Sequence, residues 1–148
     1  MRAVVQRVST SSVRCGDVYE EISKGFNVLL GVQKEDTSKD ADYMVSKISS
    51  LRVFEDDAGK MNLSLKDVDG DILLISQFTL LGDARHGARP SFINAAAYEE
   101  GRLLYEYTAR RLRENGLRVR TGVYGGDMEV TIVNDGPVTI LLDSGKLF

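Results

Sequence analysis

Ser76, Gln77 and Thr79 are polar side chains that close an otherwise apolar run, Ile72-Leu73-Leu74-Ile75. Hydroxyl and amide groups at the end of a buried strand need partners, because leaving them unpaired costs free energy. Two readings stay open: they cap the strand on neighbouring backbone, or they line a pocket and position a substrate or water. Thr79 is the obvious nucleophile, but the sequence offers no base beside it, and an unactivated threonine is poor at neutral pH. A second locus is Asn134-Asp135-Gly136-Pro137-Val138-Thr139. Asp-Gly between alternating apolar residues is a hairpin signal, yet the proline after it removes a ladder donor where the next strand should begin. A Gly-Pro bond has only a small trans preference, so a cis peptide is open there. Pro137 is one of two prolines in the chain, and it stands at a backbone-special point.

Counting removes most side-chain catalysts. With one histidine and one cysteine, a metal site built on several imidazoles or thiolates is excluded. A Ser-His-Asp triad would have to use His86, in a loop of Gly, Ala and Arg without an evident acidic partner. His86 reads as a solvated loop residue and Cys15 as a structural one. No Walker-type loop or Gly-x-Gly-x-x-Gly follows a strand. Arginines remain: Arg110, Arg111, Arg113, Arg118 and Arg120 crowd one stretch, while Arg85 and Arg89 bracket the Gly82–Pro90 loop. These could hold phosphates, or serve as helix-end partners on a solvated face.

The elements that must position these residues read as α+β. Met1–Ser9, Val13–Ile22 around a Cys15-Gly16-Asp17 turn, and Gly25–Val32 read as strands. From Thr37 the period turns helical, with Ala41, Met44, Val45, Ile48 and Leu51 on one face and Asp36, Thr37 or Ser38 to cap it. Leu51–Phe54 is a strand, Asp56–Gly59 a turn, and Lys60–Lys66 a short strand or helical turn. Ile72–Ile75 is too apolar for a half-exposed strand and reads as central. A second helix is expected from about Asn94 to Asn115, ended by Gly116. Strands Leu117–Tyr124, Asp127–Val133 and Val138–Asp143 follow, the first two joined at Gly125-Gly126. The expected architecture is one domain, residues 1–148: a mostly antiparallel, β-barrel-like sheet flanked by two helices. A chain of 148 residues, 43% hydrophobic, can bury one core, and its net charge of -3 gives no overall cationic field. The absence of a long apolar run and the lone Cys15 suit a cytoplasmic protein with no membrane contact.

Ser76-Gln77-Phe78-Thr79-Leu80 together with Asn134-Asp135-Gly136-Pro137-Val138-Thr139 resembles the signature pair of the D-aminoacyl-tRNA deacylases, also called D-tyrosyl-tRNA deacylases. The likeness extends to Met1–Val8, Lys60–Leu65, Arg89–Phe92 and Thr121-Gly122. The resemblance implies a homodimer that hydrolyses D-aminoacyl-tRNA to free D-amino acid and tRNA, with no cofactor or metal. It also implies that a cis Gly136-Pro137 pair reaches into the partner's active site and that its carbonyls exclude an L side chain, with Arg7 holding its orientation. Ser76, Gln77, Phe78 and Thr79 would line the pocket for the 3′-terminal aminoacyl-adenosine, offering backbone N–H donors, and Met128 would support it. Hydrolysis would rely on the tRNA's terminal 2′-hydroxyl. Glycine misattached to tRNA is a further possible substrate. Two positions depart from the family pattern: Gly126 stands where alanine is expected, and His86 where lysine is. A deacylase on the same fold that edits wrong L-amino acids is the nearest rival, and Phe78 argues against it. A non-catalytic tRNA- or protein-binding barrel using the arginines is the other.

Overall fold

The computed structural model describes residues 1–148. Its frame is a pair of long antiparallel strands, β1 (Arg2–Cys15) and β8 (Glu129–Asp143), laddered from Arg2↔Asp143 to Arg14↔Glu129. Neither strand keeps one face inward throughout. Ala3 and Val5 point into the main core, whereas Val8 and Val13 belong to a second cluster on the opposite side of the sheet. In β8, Ile140 and Leu142 belong to the main core and Val130 and Ile132 pack on the second cluster.

The ladder explains the switch. Between Val8 and Thr10, two steps along β1 match one along β8, from Asn134 to Val133. Between Gln6 and Val8, two steps along β1 match five along β8, from Thr139 to Asn134. An odd number of inserted residues reverses which side chains face in, so both strands change faces at the same place. Asn134–Val138 is therefore not a hairpin between two strands, as the Asp-Gly pair suggests, but an excursion within one. Pro137 lies inside it, where no ladder bond is waiting for its missing N–H.

β2 (Val18–Ile22) pairs with the distal half of β1 across the Gly16 turn, and β3 (Gly25–Gly31) with the proximal half. Next to β3 lie β6 (Asp71–Ser76) and then β7 (Arg118–Thr121), both in parallel pairings. The sheet is thus mixed, with strand order β2-β1-β3-β6-β7 and β8 on β1: mostly antiparallel, as expected, but with two parallel pairings that the expected architecture did not include. The parallel steps have a physical reason: each needs a crossover of a dozen or more residues, and each helix supplies one. Between β3 and β6 run α1 (Ser38–Ser50) and the hairpin β4 (Arg52–Glu55) with β5 (Met61–Ser64); between β6 and β7 runs α2 (Tyr98–Glu114). No helix is long and apolar enough to cross a membrane.

α1 matches its sequence signal. The Thr37 hydroxyl accepts from Lys39 N–H at 3.3 Å, and Thr37 N–H donates to Asp40 Oδ2 at 2.8 Å, a reciprocal cap. α2 starts later than its alanines suggest. Val32 O accepts from Ala96 N–H, and Asn94 O accepts from Lys34 N–H, both at close to 3 Å (3.0 and 2.9 Å). These residues therefore extend against the end of β3 instead of beginning a helix. Gly116, at φ +84, ends α2 as expected. Both helices cover one face of the sheet over Phe26, Val28, Leu30, Ile72 and Leu74, while Leu73 and Ile75 fill the other. β6 is buried on both faces, which its unbroken apolar run requires.

The parallel β3–β6 seam has no room at Gly25, where an added Cβ would overlap the Asp71 carbonyl and lie 2.7 Å from Asp71 N. Gly25→Ala should cost about 2–3 kcal/mol and lower Tm by roughly 5–10 °C; calorimetry showing no loss would contradict this seam.

Candidate functional site

β6 ends at Ser76 because the chain curls at once into a 3-10 helix, Phe78–Leu81. Gln77 N–H donates to Leu30 O at 2.8 Å, which carries the strand register one residue further. Gly31 leaves space for the curl: a Cβ there would sit 2.8 Å from Gln77 O and 2.7 Å from Leu81. Within the turn, Leu80 N–H donates to Gln77 O and Gly82 N–H to Thr79 O. The N–H groups of Phe78 and Thr79 donate to no protein acceptor, as expected for the first turn of a helix with no side-chain cap. The Thr79 hydroxyl accepts from Gln77 Nε2, and an amide cannot remove its proton.

Ser76, Gln77 and Phe78 open onto a cavity of about 520 Å³, well within the range of small-ligand sites. Its opposite wall is the Tyr124–Met128 turn, with Tyr98 of α2 at the side. Met128 is part of that wall. Thr79 is exposed beside the cavity rather than in its wall. The Tyr124 ring packs edge-on to Tyr98 at 5.2 Å and tilted against Tyr105 at 5.4 Å. Tyr105 is anchored from below, donating to Leu74 O at 2.7 Å, and burial holds its phenol well above the ordinary range. Burial likewise raises the Tyr124 phenol. Both therefore stay neutral at physiological pH. Gly126 packs against Cys15: an added Cβ there would approach Cys15 Sγ to 2.7 Å, so the glycine leaves room for this cysteine.

Gly136-Pro137 is a cis peptide, with Gly136 at φ +128. Arg7, 7% exposed, secures the excursion by donating to Asp135 O at 2.9 Å through Nε and to Val53 O at 2.7 Å through Nη1. A Cβ at Gly136 would come within 3.0 Å of both Arg7 Nη2 and Val138 N. The structure therefore brings Arg7 to Gly136-Pro137, and Ser76, Gln77 and Phe78 to Met128. It does not bring the two groups together in one chain: Gly136 and Pro137 are exposed and line no part of the cavity.

The C-terminal arginine cluster is engaged internally. Arg110 and Arg111 pair with Glu114, Arg111 also with Asp42, Arg118 with Asp69 and Asp71, and Arg120 with Glu20. Arg113 donates to Val119 O at 2.9 Å. The helix-end and solvated-face reading holds for this cluster. Tyr98, Tyr124 and Gly101 form part of the site or its support without having been singled out by sequence. Their one local signal is the crowding of aromatics and glycines around Tyr124.

A family model described as D-Tyr-tRNA(Tyr) deacylase matches residues 4–143. D-aminoacyl-tRNA deacylases of Clostridium perfringens and Anaeromyxobacter dehalogenans are each 56% identical over the whole of both chains, and that of Thermotoga petrophila is 54% identical. Among solved structures, one titled c-Myc DNA Unwinding Element Binding Protein superposes with a TM-score of 0.90 at 42% identity, covering 97% of this chain and 98% of that one. A probable eukaryotic D-amino acid tRNA deacylase shares the fold, with a TM-score of 0.82 at 17% identity over 95% and 97% of the two chains. Fold and sequence place the molecule among the enzymes that deacylate aminoacyl-tRNA. The chain belongs to the D-Tyr-tRNA(Tyr) deacylase family. Its activity is that of a D-aminoacyl-tRNA deacylase, a hydrolase of the aminoacyl ester in translation proofreading.

Gly101 in α2 makes room for the cavity wall, since a Cβ there would overlap the Tyr124 hydroxyl, which donates to no protein group; the next ring atom is 3.5 Å away. Gly101→Ala should cost about 1–3 kcal/mol, and adding Tyr124→Phe should restore most of it. A double variant as unstable in urea as Gly101→Ala alone would contradict this packing.

Proposed function

We propose that the working site forms from two copies of this chain, each receiving the other's Gly136-Pro137 segment over its own cavity, and that this backbone gate selects D over L substrates. The observation that carries the reading is the pair of unpartnered N–H groups of Phe78 and Thr79 at a cavity that lacks an activated side-chain nucleophile. Backbone donors held in this way can stabilise the oxyanion that develops when an ester carbonyl is attacked, with no titratable side chain involved. Water, assisted by the substrate's vicinal 2′-hydroxyl, adds to the carbonyl carbon. The bond from that carbon to the ribose oxygen then breaks, and the proton passes to the ribose.

Selection follows from geometry. An L side chain would be directed onto the gate's fixed carbonyl oxygens, whereas a D side chain points away and makes no required contact. Rejection by clash tolerates many D residues. It also fails to exclude glycine, which has no side chain to clash, so glycine on tRNA is a further substrate. The Arg7 contacts to Asp135 O and Val53 O suit a rigid gate. The exposure of Gly136 and Pro137 suits a segment completed by a partner, as do the outward apolar side chains Val133 and Leu141 of β8, 46% and 55% exposed. Ser76, Gln77, Phe78 and Met128 receive the 3′-terminal aminoacyl-adenosine, and the tRNA substrate sets the place of action in the cytoplasm.

Hydrolysis of D-Tyr-tRNA should exceed that of L-Tyr-tRNA by on the order of a hundredfold or more, because a backbone clash of several kcal/mol has at least that effect; equal rates would overturn the gate. Light scattering at micromolar concentration should give twice the chain mass of 16.4 kDa, and a monomer would remove the shared site.

Thr79→Ala should keep activity within about tenfold, since its hydroxyl is not asked to attack. A thousandfold loss with binding intact would establish a side-chain nucleophile instead.

A further inference from the structure

The segments that line the cavity, 75–78, 96–98 and 124–130, contain no Lys or Arg. A substrate ending in a phosphodiester chain nevertheless has to leave the cavity along some surface, and the chain's net charge of -3 gives no general attraction. The C-terminal arginines are neutralised by their own partners, as described above. Arg2, near the 3-10 helix, pairs with Asp143 at 3.0 Å and donates to Leu80 O. Lys34 shares a separate groove with Glu35, Asp36 and Glu100, an acidic surrounding unsuited to phosphate.

The loop between Gly82 and Phe92 is different. Asp83 and Ser91 exchange two backbone hydrogen bonds, both 2.8 Å, so the loop is a closed hairpin and not a loose strap. Its base is fixed to the cavity rim on both sides. It follows directly from the 3-10 helix, where Gly82 N–H donates to Thr79 O, and it ends at Phe92, whose ring packs edge-on to the cavity residue Phe78 at 5.1 Å. Asp83 accepts from Arg85 N–H, Nε and Nη2 at 3.0, 2.9 and 2.7 Å, which stiffens the arm and satisfies its only acid. Arg89, on the returning arm, is exposed and has neither an acidic partner nor a protein acceptor. The hairpin thus carries net positive charge at the mouth of a wall that has no basic residue of its own and includes the acid Asp127.

We infer that the Asp83–Ser91 hairpin is the phosphate-contacting arm for the single-stranded 3′ end of the tRNA, with Arg89 as the group that meets the backbone and Arg85 as its fixed neighbour. This rests on the reading that the cavity takes the aminoacyl-adenosine. Phosphate contacts position a nucleic acid without reading its sequence, so the arm would serve any tRNA presenting the same terminal strand.

The test separates the arm from the cavity. Binding of fluorescein-labelled uncharged tRNA, followed by anisotropy between 50 and 200 mM KCl on the scale where such contacts are screened, is compared for wild type, Arg89→Ala, Arg89→Glu and Arg120→Ala. Arg89→Ala should weaken binding about fivefold at the low-salt end and make the salt slope shallower by about 0.7, the value of one single-strand phosphate contact. Arg89→Glu should weaken it further, and Arg120→Ala, whose partner is Glu20, should leave it unchanged. In hydrolysis, Arg89→Ala should lower kcat/KM on D-Tyr-tRNA but not on D-tyrosyl-adenosine, which carries no phosphate. An unchanged affinity and slope, or equal losses on the two esters, would overturn the inference. If wild type hydrolyses neither ester, the proposed site falls, and the binding series still decides the role of Arg89.

Discussion

Most of the molecule depends on keeping two fourteen- and fifteen-residue strands paired while each turns its buried face from one side of the sheet to the other. A strand that keeps strict alternation can serve only one core. β1 and β8 serve two, one on each face of the sheet, because the ladder slips twice in succession, with three extra residues in β8 and then one in β1. The cost of that slip falls on the Asn134–Val138 backbone, which loses ladder partners. Arg7 makes good part of it, donating from its buried guanidinium to two carbonyls while the Asp135 carboxylate, 3.6 Å away, balances the charge. The segment that leaves the ladder and the cation that restrains it are thus one structural unit.

The same logic governs the end of β6. A fully buried strand cannot run on into solvent without leaving backbone groups unpaired, and this one turns sharply over Gly31 into a short 3-10 helix. The turn satisfies the carbonyls of Gln77 and Thr79 but leaves two N–H groups facing outward beside a cavity. Those donors come from helix-start geometry and need no particular side chain. That fits a chain whose single histidine and single cysteine exclude most familiar hydrolytic sets.

How much of this could be read beforehand depended on how local the cause was. α1 was legible because its capping residues and its i, i+3, i+4 stripe lie within one stretch. So was the central place of Ile72–Ile75, since only a strand buried on both faces tolerates that composition. The start of α2 was not, because Ala95–Ala97 favour helix locally while Val32 and Lys34, some sixty residues away, claim the neighbouring backbone groups. Continuity of β8 was hidden by Asp135-Gly136, which signals a turn in any short window. The parallel pairings were hidden in plain order: the strand-helix-strand sequence that predicts them was present twice, but the strand-rich first third suggested mostly antiparallel neighbours. At the site, the Ser76–Thr79 segment and Met128 were nameable from motif, while Tyr98, Tyr124 and Gly101 meet only through packing across the fold.

Charge placement follows a related division. Arginine clusters invite a nucleic-acid reading, but a cation already held by two carboxylates has little free energy left to offer a phosphate, and screening reduces it further. Arg118, with Asp69 and Asp71, is such a case, and it joins the β6–β7 edge to the loop before it. Density of positive residues along the sequence is therefore a poor guide to where this acidic chain meets a polyanion. The number of carboxylates within reach is the better one. By that measure Arg89 is one of several exposed cations left free, and it is the one on a rigid hairpin beside the cavity residue Phe78, whereas the crowded C-terminal arginines act as structural ties between α2, α1 and the sheet edge.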